Sequence, residues 1–203
     1  MSGFLSFLHS AFSSLQQLTL GPKFVTAKAS PSLVIEAKAT EKAAVIGQGF
    51  VAISITVRNT AGEIKHQAVA VRNGADMSMP TFYSCSFEGY QDTLCTHSLG
   101  QFYRECDIYG TVDFIFRNAA AVFQDCNIYA RLPMQGQFNA LTAQGRTDPN
   151  QNTGISIHNY KIMAAPDLAS SNGTTRSYQG RPWKEYSKTV YMQSFIDSFI
   201  DPT

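Results

Sequence analysis

Charge is scarce in this 203-residue sequence, and the two signs nearly balance. Charged residues make up 15% of the chain, with 16 basic and 15 acidic side chains. The basic residues form no run interleaved with aromatic residues, so nucleic acid is not a predicted partner. The apolar fraction, 44%, is too high for a disordered chain and favours a domain with a buried core.

Long apolar runs are also lacking. No stretch approaches the roughly 18 continuous apolar residues of a membrane-spanning helix, so no membrane span is predicted. An apolar stretch lies at Phe4–Leu8, but the first lysine is Lys23, so the basic region of a secretory signal is missing and no signal peptide is clearly readable. Residues 1–42 carry no readable role and are taken as a divergent N-terminal segment, with the domain over residues 43–203.

Helical periodicity is almost absent after residue 45, and a repeat of short apolar–polar alternations takes its place. Three segments with a cysteine each are alike: Phe82–Phe87, Phe102–Ile108 and Val122–Ile128. Their cysteines, Cys85, Cys106 and Cys126, follow one another at steps of 21 and 20 residues. Each segment is rich in β-branched and aromatic residues, which predicts a short, half-buried strand.

Short strands that recur about every 20 residues without intervening helices predict a right-handed, single-stranded parallel β-helix, an all-β fold. One coil cannot bury its own apolar face, so successive coils stack and each strand pairs with its copy one turn away. An antiparallel sandwich also has many short strands, but it does not predict cysteines in register at nearly equal steps.

The cysteine register has two interpretations. Stacked residues on neighbouring coils lie about 4.8 Å apart, which is within the Cα separation that a disulfide tolerates. Two of the three cysteines could therefore pair. Alternatively, the column consists of buried thiols that behave as small hydrophobic groups. The spacing alone does not choose between them.

Two aspartates repeat with the same step. Asp92 follows Gln91, and Asp113 lies 21 residues later within the apolar run Val112–Phe116. A bare carboxylate is unfavourable in such a run, and one coil of separation places both carboxyls on the same face. Two close carboxyls cannot both ionise freely, so one can serve as an acid while the other is a base. A ladder of aspartates that caps turns is the structural alternative.

Polar and aromatic side chains accompany this pair at other points of the sequence. Gln67 precedes Gln91 by 24 residues, close to one coil, and its amide could donate a hydrogen bond into the same cleft. Arg181 and Trp183, the only tryptophan, could bind a carboxylate and a sugar ring. The alternatives are a solvated glutamine and a surface turn with a half-buried tryptophan.

Together these segments resemble the plant pectin methylesterases (pectinesterases). The resemblance extends from about Ala43 to the last residues and rests on several ordered motifs: Gly47–Phe50, Asn59–Gly62, His66–Arg72, Tyr90–Leu94, Gly110–Phe116, Asn118–Ala120, Thr142–Gly154 and Gly180–Tyr186. It implies a β-helix that removes methyl esters from polygalacturonate without a cofactor or metal and gives methanol and free carboxylates. It also implies an extracellular, cell-wall location, with pectin as substrate and a proteinaceous pectinesterase inhibitor as a candidate partner.

The resemblance also implies a role for each matching residue. Asp113 matches the nucleophile, and Asp92 matches the general acid that then acts as base. Arg181 would pair with Asp113 and keep it charged and aimed. Gln91 and Gln67 would form the oxyanion hole, and Trp183 would contact the sugar. The family's common disulfide falls on Cys106 and Cys126, and such a bond requires a secreted protein.

Several positions depart from the family pattern. Arg117 stands where the family has a glycine directly after the Asp113–Phe116 run, and it is expected to carry a conformational cost and to add a cation near Asp113. The resemblance also implies a truncated β-helix, because the chain stops at Thr203, before the family's last coils. The alternatives to an active esterase are an inactive pectin-binding β-helix, a truncated product without function, and a calcium-dependent pectate lyase, which would need a carboxylate cluster.

Overall fold

The protein is described by a computed structural model that covers residues 24–26, 33–38, 43–45, 50–74 and 79–202. Within these residues, twenty strands form three parallel sheets of seven, seven and six strands, and successive strands along the chain enter the three sheets in turn. The first sheet contains β1 (Phe24–Thr26), β4 (Val51–Ile53), β7 (Thr81–Tyr83), β10 (Gly100–Arg104), β13 (Ala120–Gln124), β16 (Gly154–His158) and β19 (Thr189–Met192).

The other two sheets complete the coils. The second contains β2 (Leu33–Ala37), β5 (Ile55–Asn59), β8 (Ser86–Glu88), β11 (Asp107–Gly110), β14 (Asn127–Ala130), β17 (Lys161–Ala164) and β20 (Phe195–Ile196). The third contains β3 (Ala43–Val45), β6 (Val71–Gly74), β9 (Leu94–Ser98), β12 (Val112–Arg117), β15 (Asn139–Gln144) and β18 (Ser177–Gly180). A 3-10 helix (Glu63–Lys65) and one short helix, α1 (Pro166–Ala169), interrupt the strands. The predicted parallel β-helix is confirmed.

The repeated segments differ from the prediction in one respect, because all three span two strands instead of one. A single residue with positive φ divides them: Ser84 at 51°, Glu105 at 54° and Asp125 at 54°. A left-handed residue turns the chain abruptly, so each segment begins in the first sheet and ends in the second. The cysteine follows directly after this corner, which is why the three cysteines are in register.

Aromatic side chains fill the interior in a ladder that follows the same register. The Tyr103 ring stacks on Phe82 with centroids 5.1 Å apart and on Phe123 with centroids 4.5 Å apart. Parallel pairing places Phe82 beside Tyr103 and Tyr103 beside Phe123 on successive strands. Each such contact adds about 0.5–1.5 kcal/mol to the burial of the rings, so the ladder stabilises the stacking of the coils.

The predicted Cys106–Cys126 disulfide is not formed in this structure. Cys85, Cys106 and Cys126 are buried free thiols. Each thiol donates to backbone carbonyls instead, as Cys106 does to Phe82 and Arg104 at 3.5 and 3.3 Å. Hydrogen bonds with the flanking thiols and burial raise the pKa of Cys106. In this structure the column therefore consists of buried thiols, and the Cys106–Cys126 disulfide stays a prediction.

The β-helix also begins ahead of the predicted boundary at residue 43. Strand β1 pairs with β4, and β2 pairs with β5 in continuous parallel register, so they form a coil of the same solenoid. The Leu33–Ala37 segment is too short to show periodicity by itself, which is why the sequence did not reveal it. The rest of the predicted N-terminal segment and the Gly47–Gly49 part of the first motif lie outside the described residues. No helix in the described part of the chain is long and apolar enough to cross a bilayer.

Candidate functional site

Asp113 lies at an irregularity in strand β12. Pairing with β15 joins Val112 to Ala140 and Ile115 to Thr142, so β12 contains one more residue than its partner over this stretch. Asp113 takes the left-handed conformation here, with φ of 52°. A β-bulge of this kind redirects a side chain away from the regular alternation, and aspartate tolerates the conformation better than most residues. The bulge gives a carboxyl in an apolar strand access to solvent, and Asp113 remains 8% exposed.

The guanidinium of Arg181 holds the Asp113 carboxylate in a two-point contact. Its Nε donates to Oδ1 at 2.8 Å and its Nη2 donates to Oδ2 at 2.5 Å. Hydrogen bonding to Asp113 raises the pKa of Arg181, so the guanidinium stays charged. The backbone N–H of Arg181 donates to the Thr142 carbonyl at 2.9 Å, which fixes the arginine one coil beyond Thr142 and two coils from Asp113. Paired donors of this geometry fix the direction of a carboxylate as well as its charge.

Asp92 lies one coil away, next to Asp113. Its backbone N–H donates to the Val112 carbonyl at 3.0 Å, and its φ is 62°. Burial, and secondarily the charge of Asp113, raises the pKa of Asp92 to about 7, although Arg181 and Arg117 act in the opposite direction. The carboxyl accepts no hydrogen bond from the described residues. The site therefore combines a carboxylate fixed by an arginine with a second carboxyl that exchanges its proton near neutral pH.

The two glutamines lie on successive coils beside Asp92. The N–H of Ala68, which follows Gln67, donates to the carbonyl of Gln91 at 3.3 Å. Gln67 is exposed and Gln91 is half-buried. Neither side-chain amide forms a hydrogen bond within the described part of the chain, so both can donate to a ligand.

Trp183 follows Arg181 by two residues and is 41% exposed. Its backbone N–H donates to the Gln144 carbonyl at 3.2 Å. The indole packs over Gly145, where a Cβ would approach Trp183 Cε3 to 2.7 Å, so any larger residue would displace the ring. The guanidinium carbon of Arg117 lies 5.4 Å from the ring centroid, and Nζ of Lys184 lies 5.1 Å from it.

The sequence did not predict two side-chain contacts that lie next to site residues. Arg131 covers the ring of Tyr90 at 4.0 Å and donates to the Tyr90 hydroxyl at 3.0 Å, directly before Gln91. The signal was present, because Tyr90, Thr111 and Arg131 follow the same steps of 21 and 20 residues, and backbone hydrogen bonds join their coils. Phe138, whose ring lies 5.8 Å from the Arg181 guanidinium, comes from a loop that the repeat does not predict.

Arg117 adopts a backbone conformation that glycine favours. Its φ is 99°, which is unusual for a residue with a long side chain. The ladder holds it there, since its carbonyl accepts the Gly145 N–H at 2.9 Å and the preceding Phe116 carbonyl accepts the Thr96 hydroxyl at 2.8 Å. The conformational cost expected from the sequence is therefore present in the structure.

Replacing Arg117 with Gly is expected to stabilise the protein. Relief of about 1–2 kcal/mol of backbone strain should raise the midpoint of thermal unfolding by roughly 2–6 °C in a domain of this size. Arg117→Ala is the matched control, because it removes the same guanidinium but keeps a Cβ in the unfavourable conformation. An equal rise in both variants, measured by circular dichroism, would attribute the effect to the lost charge and contradict this explanation.

Among the described residues, no group of three or more His, Cys, Asp or Glu side chains is arranged to hold a metal ion. The structure brings several of the residues singled out from the sequence together on the third sheet and its adjoining turns. Asp92, Asp113, Arg181 and Arg117 interact electrostatically, and Trp183 contacts Arg117.

Comparison with known proteins identifies close relatives of this chain. A sequence model of the pectinesterase family matches residues 21–203. The chain is 72% identical over 159 residues to probable pectinesterase/pectinesterase inhibitor 41 of Arabidopsis thaliana, which covers 78% of this chain and 27% of that protein. It is 62% identical over 159 residues to pectinesterase 2 of Citrus sinensis, covering 78% of this chain and 31% of that protein. The chain thus spans about a quarter to a third of the length of these curated relatives.

A solved structure gives the same result. The pectin methylesterase from carrot superimposes with a TM-score of 0.81 and 44% sequence identity, covering 92% of this chain and 66% of that one. The superposition includes most of the β-helix.

Proposed function

This chain belongs to the pectinesterase family, and we propose that it hydrolyses the methyl esters of polygalacturonate in pectin to methanol and free carboxylates. The observation that carries the proposal is the pair of carboxyls on successive coils. Asp113 is held at two points by Arg181, while the pKa of the neighbouring Asp92 is raised to about 7. One carboxyl is thus arranged to attack and the other to transfer a proton.

The first step is attack by an Asp113 oxygen on the ester carbonyl carbon. The C–O bond to the methoxy group breaks, and the departing oxygen takes the proton of Asp92, so methanol leaves as a neutral molecule. The substrate acyl group is then joined to Asp113 as an anhydride. Arg181 favours this step because its two donors limit the carboxylate to one orientation.

The second step returns both aspartates to their starting states. Asp92, now ionised, accepts a proton from water, and the water oxygen attacks the acyl carbon of the galacturonate. The bond to Asp113 breaks, the carboxylate of Asp113 is regenerated and Asp92 is protonated again. A pKa of about 7 suits both steps, since near neutral pH neither form of Asp92 is rare.

Gln67 and Gln91 supply the electrostatic support for both tetrahedral intermediates. Their amides have no hydrogen-bond partner among the described residues, and neutral donors stabilise a developing oxyanion without giving up a proton to it. Trp183 offers the sugar ring an exposed apolar face next to the reacting ester.

The partners and location follow from the substrate. Pectin is a cell-wall polysaccharide, so we assign the reaction to the extracellular cell wall. A proteinaceous pectinesterase inhibitor is a candidate partner, since the name of the Arabidopsis relative includes both pectinesterase and pectinesterase inhibitor.

Methanol release from highly methylated pectin tests the proposal, with the free carboxylates titrated in parallel. Equal amounts of methanol and acid, with no shortening of the polymer and no loss of activity in a chelator, are expected. Chain cleavage that a chelator stops would favour the calcium-dependent lyase. Binding of pectin without methanol release would favour an inactive pectin-binding β-helix.

A further inference from the structure

The cations around Trp183 differ in their partners. Arg181 pairs with Asp113 and donates two hydrogen bonds to it. The side chains of Arg117 and Lys184 make no hydrogen bond or ion pair with any residue that the structure describes. Each lies close to the indole, with the guanidinium carbon of Arg117 5.4 Å and Nζ of Lys184 5.1 Å from the ring centroid. Two unpaired positive groups thus flank an exposed aromatic ring in the cleft.

The position of Arg117 connects this pair to the reacting groups. Its charge lowers the pKa of Asp92, in opposition to burial and to Asp113. Arg117 is half-buried as a residue, whereas Lys184 is exposed. A half-buried cation is less screened by salt than an exposed one, so Arg117 should contribute more of any attraction for an anion.

We propose that Arg117 and Lys184, together with Trp183, form a subsite for the free carboxylate of a uronate residue next to the ester that reacts. The proposal rests on the proposed function for the class of polysaccharide. The anion is the group that ester hydrolysis leaves on the polymer, so each turnover creates a new ligand for the subsite. A sugar stacked on Trp183 would bring its carboxylate within reach of the planar guanidinium, which suits carboxylates well.

The subsite selects for partly de-esterified polymer. A fully methylated segment offers neutral esters to Arg117 and Lys184, while a segment with one free uronate offers a charge-assisted hydrogen bond. One such contact in a partly solvated cleft corresponds to roughly a ten-fold difference in binding.

Trp183 provides a direct measurement, because it is the only tryptophan in the chain. Tryptophan fluorescence is followed while a short unesterified oligogalacturonate or its fully methyl-esterified counterpart is added. The matched variants are Arg117→Gln and Arg117→Lys, which share the backbone conformation and differ in charge. Arg117→Gln should weaken binding of the unesterified oligomer roughly ten-fold and leave binding of the methyl ester within about two-fold, while Arg117→Lys retains most of the affinity.

Salt gives a second readout. The attraction for the unesterified oligomer should decline between low and high ionic strength in the wild type and in Arg117→Lys, and much less in Arg117→Gln. If Arg117→Gln does not fold, Arg117→Gly makes the same test with a residue that suits the backbone.

Several results would overturn the subsite. One is equal binding of both oligomers by the wild type, and another is equal affinity of Arg117→Gln and Arg117→Lys for the unesterified oligomer. The third is tighter binding after loss of the charge, which would mean that Arg117 blocks the indole. Failure of the proposed function gives a different result from failure of the subsite. In that case the charge-dependent fluorescence response persists while no pectin releases methanol.

Discussion

Methanol release from methylated pectin is expected to fall at least about a thousand-fold when Asp113 is replaced by Asn. The amide has nearly the same shape as the carboxylate but is a much weaker nucleophile, so the first covalent step is lost. Asparagine tolerates the left-handed conformation that Asp113 adopts, with φ of 52°, so the bulge in β12 should persist. Arg181 loses its charged partner, but its side chain is 47% exposed and remains solvated. Stability should therefore change by only about 1 kcal/mol.

Asp125→Asn is the matched control for this experiment. Asp125 also has positive φ, 54°, but lies at the corner between the first and second sheets, where it accepts a hydrogen bond from Asn159. The same substitution in the same backbone conformation should leave methanol release unchanged. Comparable losses in both variants, or more than about 1% of wild-type activity in Asp113→Asn, would contradict the nucleophilic role.

Replacing Asp92 with Asn is expected to have two large effects of opposite sign. Loss of the group that donates and then accepts the proton should lower kcat by roughly a hundred- to ten-thousand-fold. At the same time the folded state should become more stable above pH 7. The ionised form of Asp92 is unfavourable in the folded state because the carboxyl is buried next to Asp113. The second step of the proposed reaction uses this ionised form as the base.

The pH dependence of the stability gain follows from the direction of the pKa shift. In the folded state the pKa of Asp92 is raised to about 7, while in the unfolded chain it lies near 4. The folded state therefore holds the proton more tightly, and the wild type loses stability as pH rises from about 4 to 7. Asp92→Asn does not titrate, so it should exceed the wild type by roughly 3–4 kcal/mol at pH 8 and by little near pH 4. Denaturant unfolding at both pH values measures this, and an equal difference at both would contradict the shifted pKa.

The repeat explains why so much of this fold can be predicted from the sequence. One coil corresponds to 20 or 21 residues in its central part, so the aspartates and cysteines that share a step also share a face. Leu94 pairs with Ile115 and Tyr103 with Phe123, in agreement with the same steps. In a solenoid, residues that are one repeat apart in the sequence lie side by side on successive coils. This is why Asp92 lies next to Asp113.

The features that the sequence did not reveal depend on local conformation or on long loops. The corner at Ser84 divides a segment that looks like one strand, because serine gives no clear signal for positive φ. The first coil was missed because its strands are short and contain no motif. The contact of Phe138 with Arg181 requires the loop between β14 and β15, whose course no periodicity describes. Spacing alone does not distinguish a pair of thiols from a disulfide at Cys106 and Cys126, because both fit the separation of stacked residues.

The central claim is that stacked coils bring two carboxyl groups into one partly buried cleft, where burial and the charge of Asp113 raise the pKa of Asp92. Titration of the Asp92 carboxyl carbon by NMR, in the wild type and in Asp113→Asn, tests it most directly. The wild type should titrate near pH 7, and the variant at lower pH, since the charge of Asp113 is gone and Arg181 remains. A wild-type pKa near 4, or no difference between the two proteins, would contradict the account.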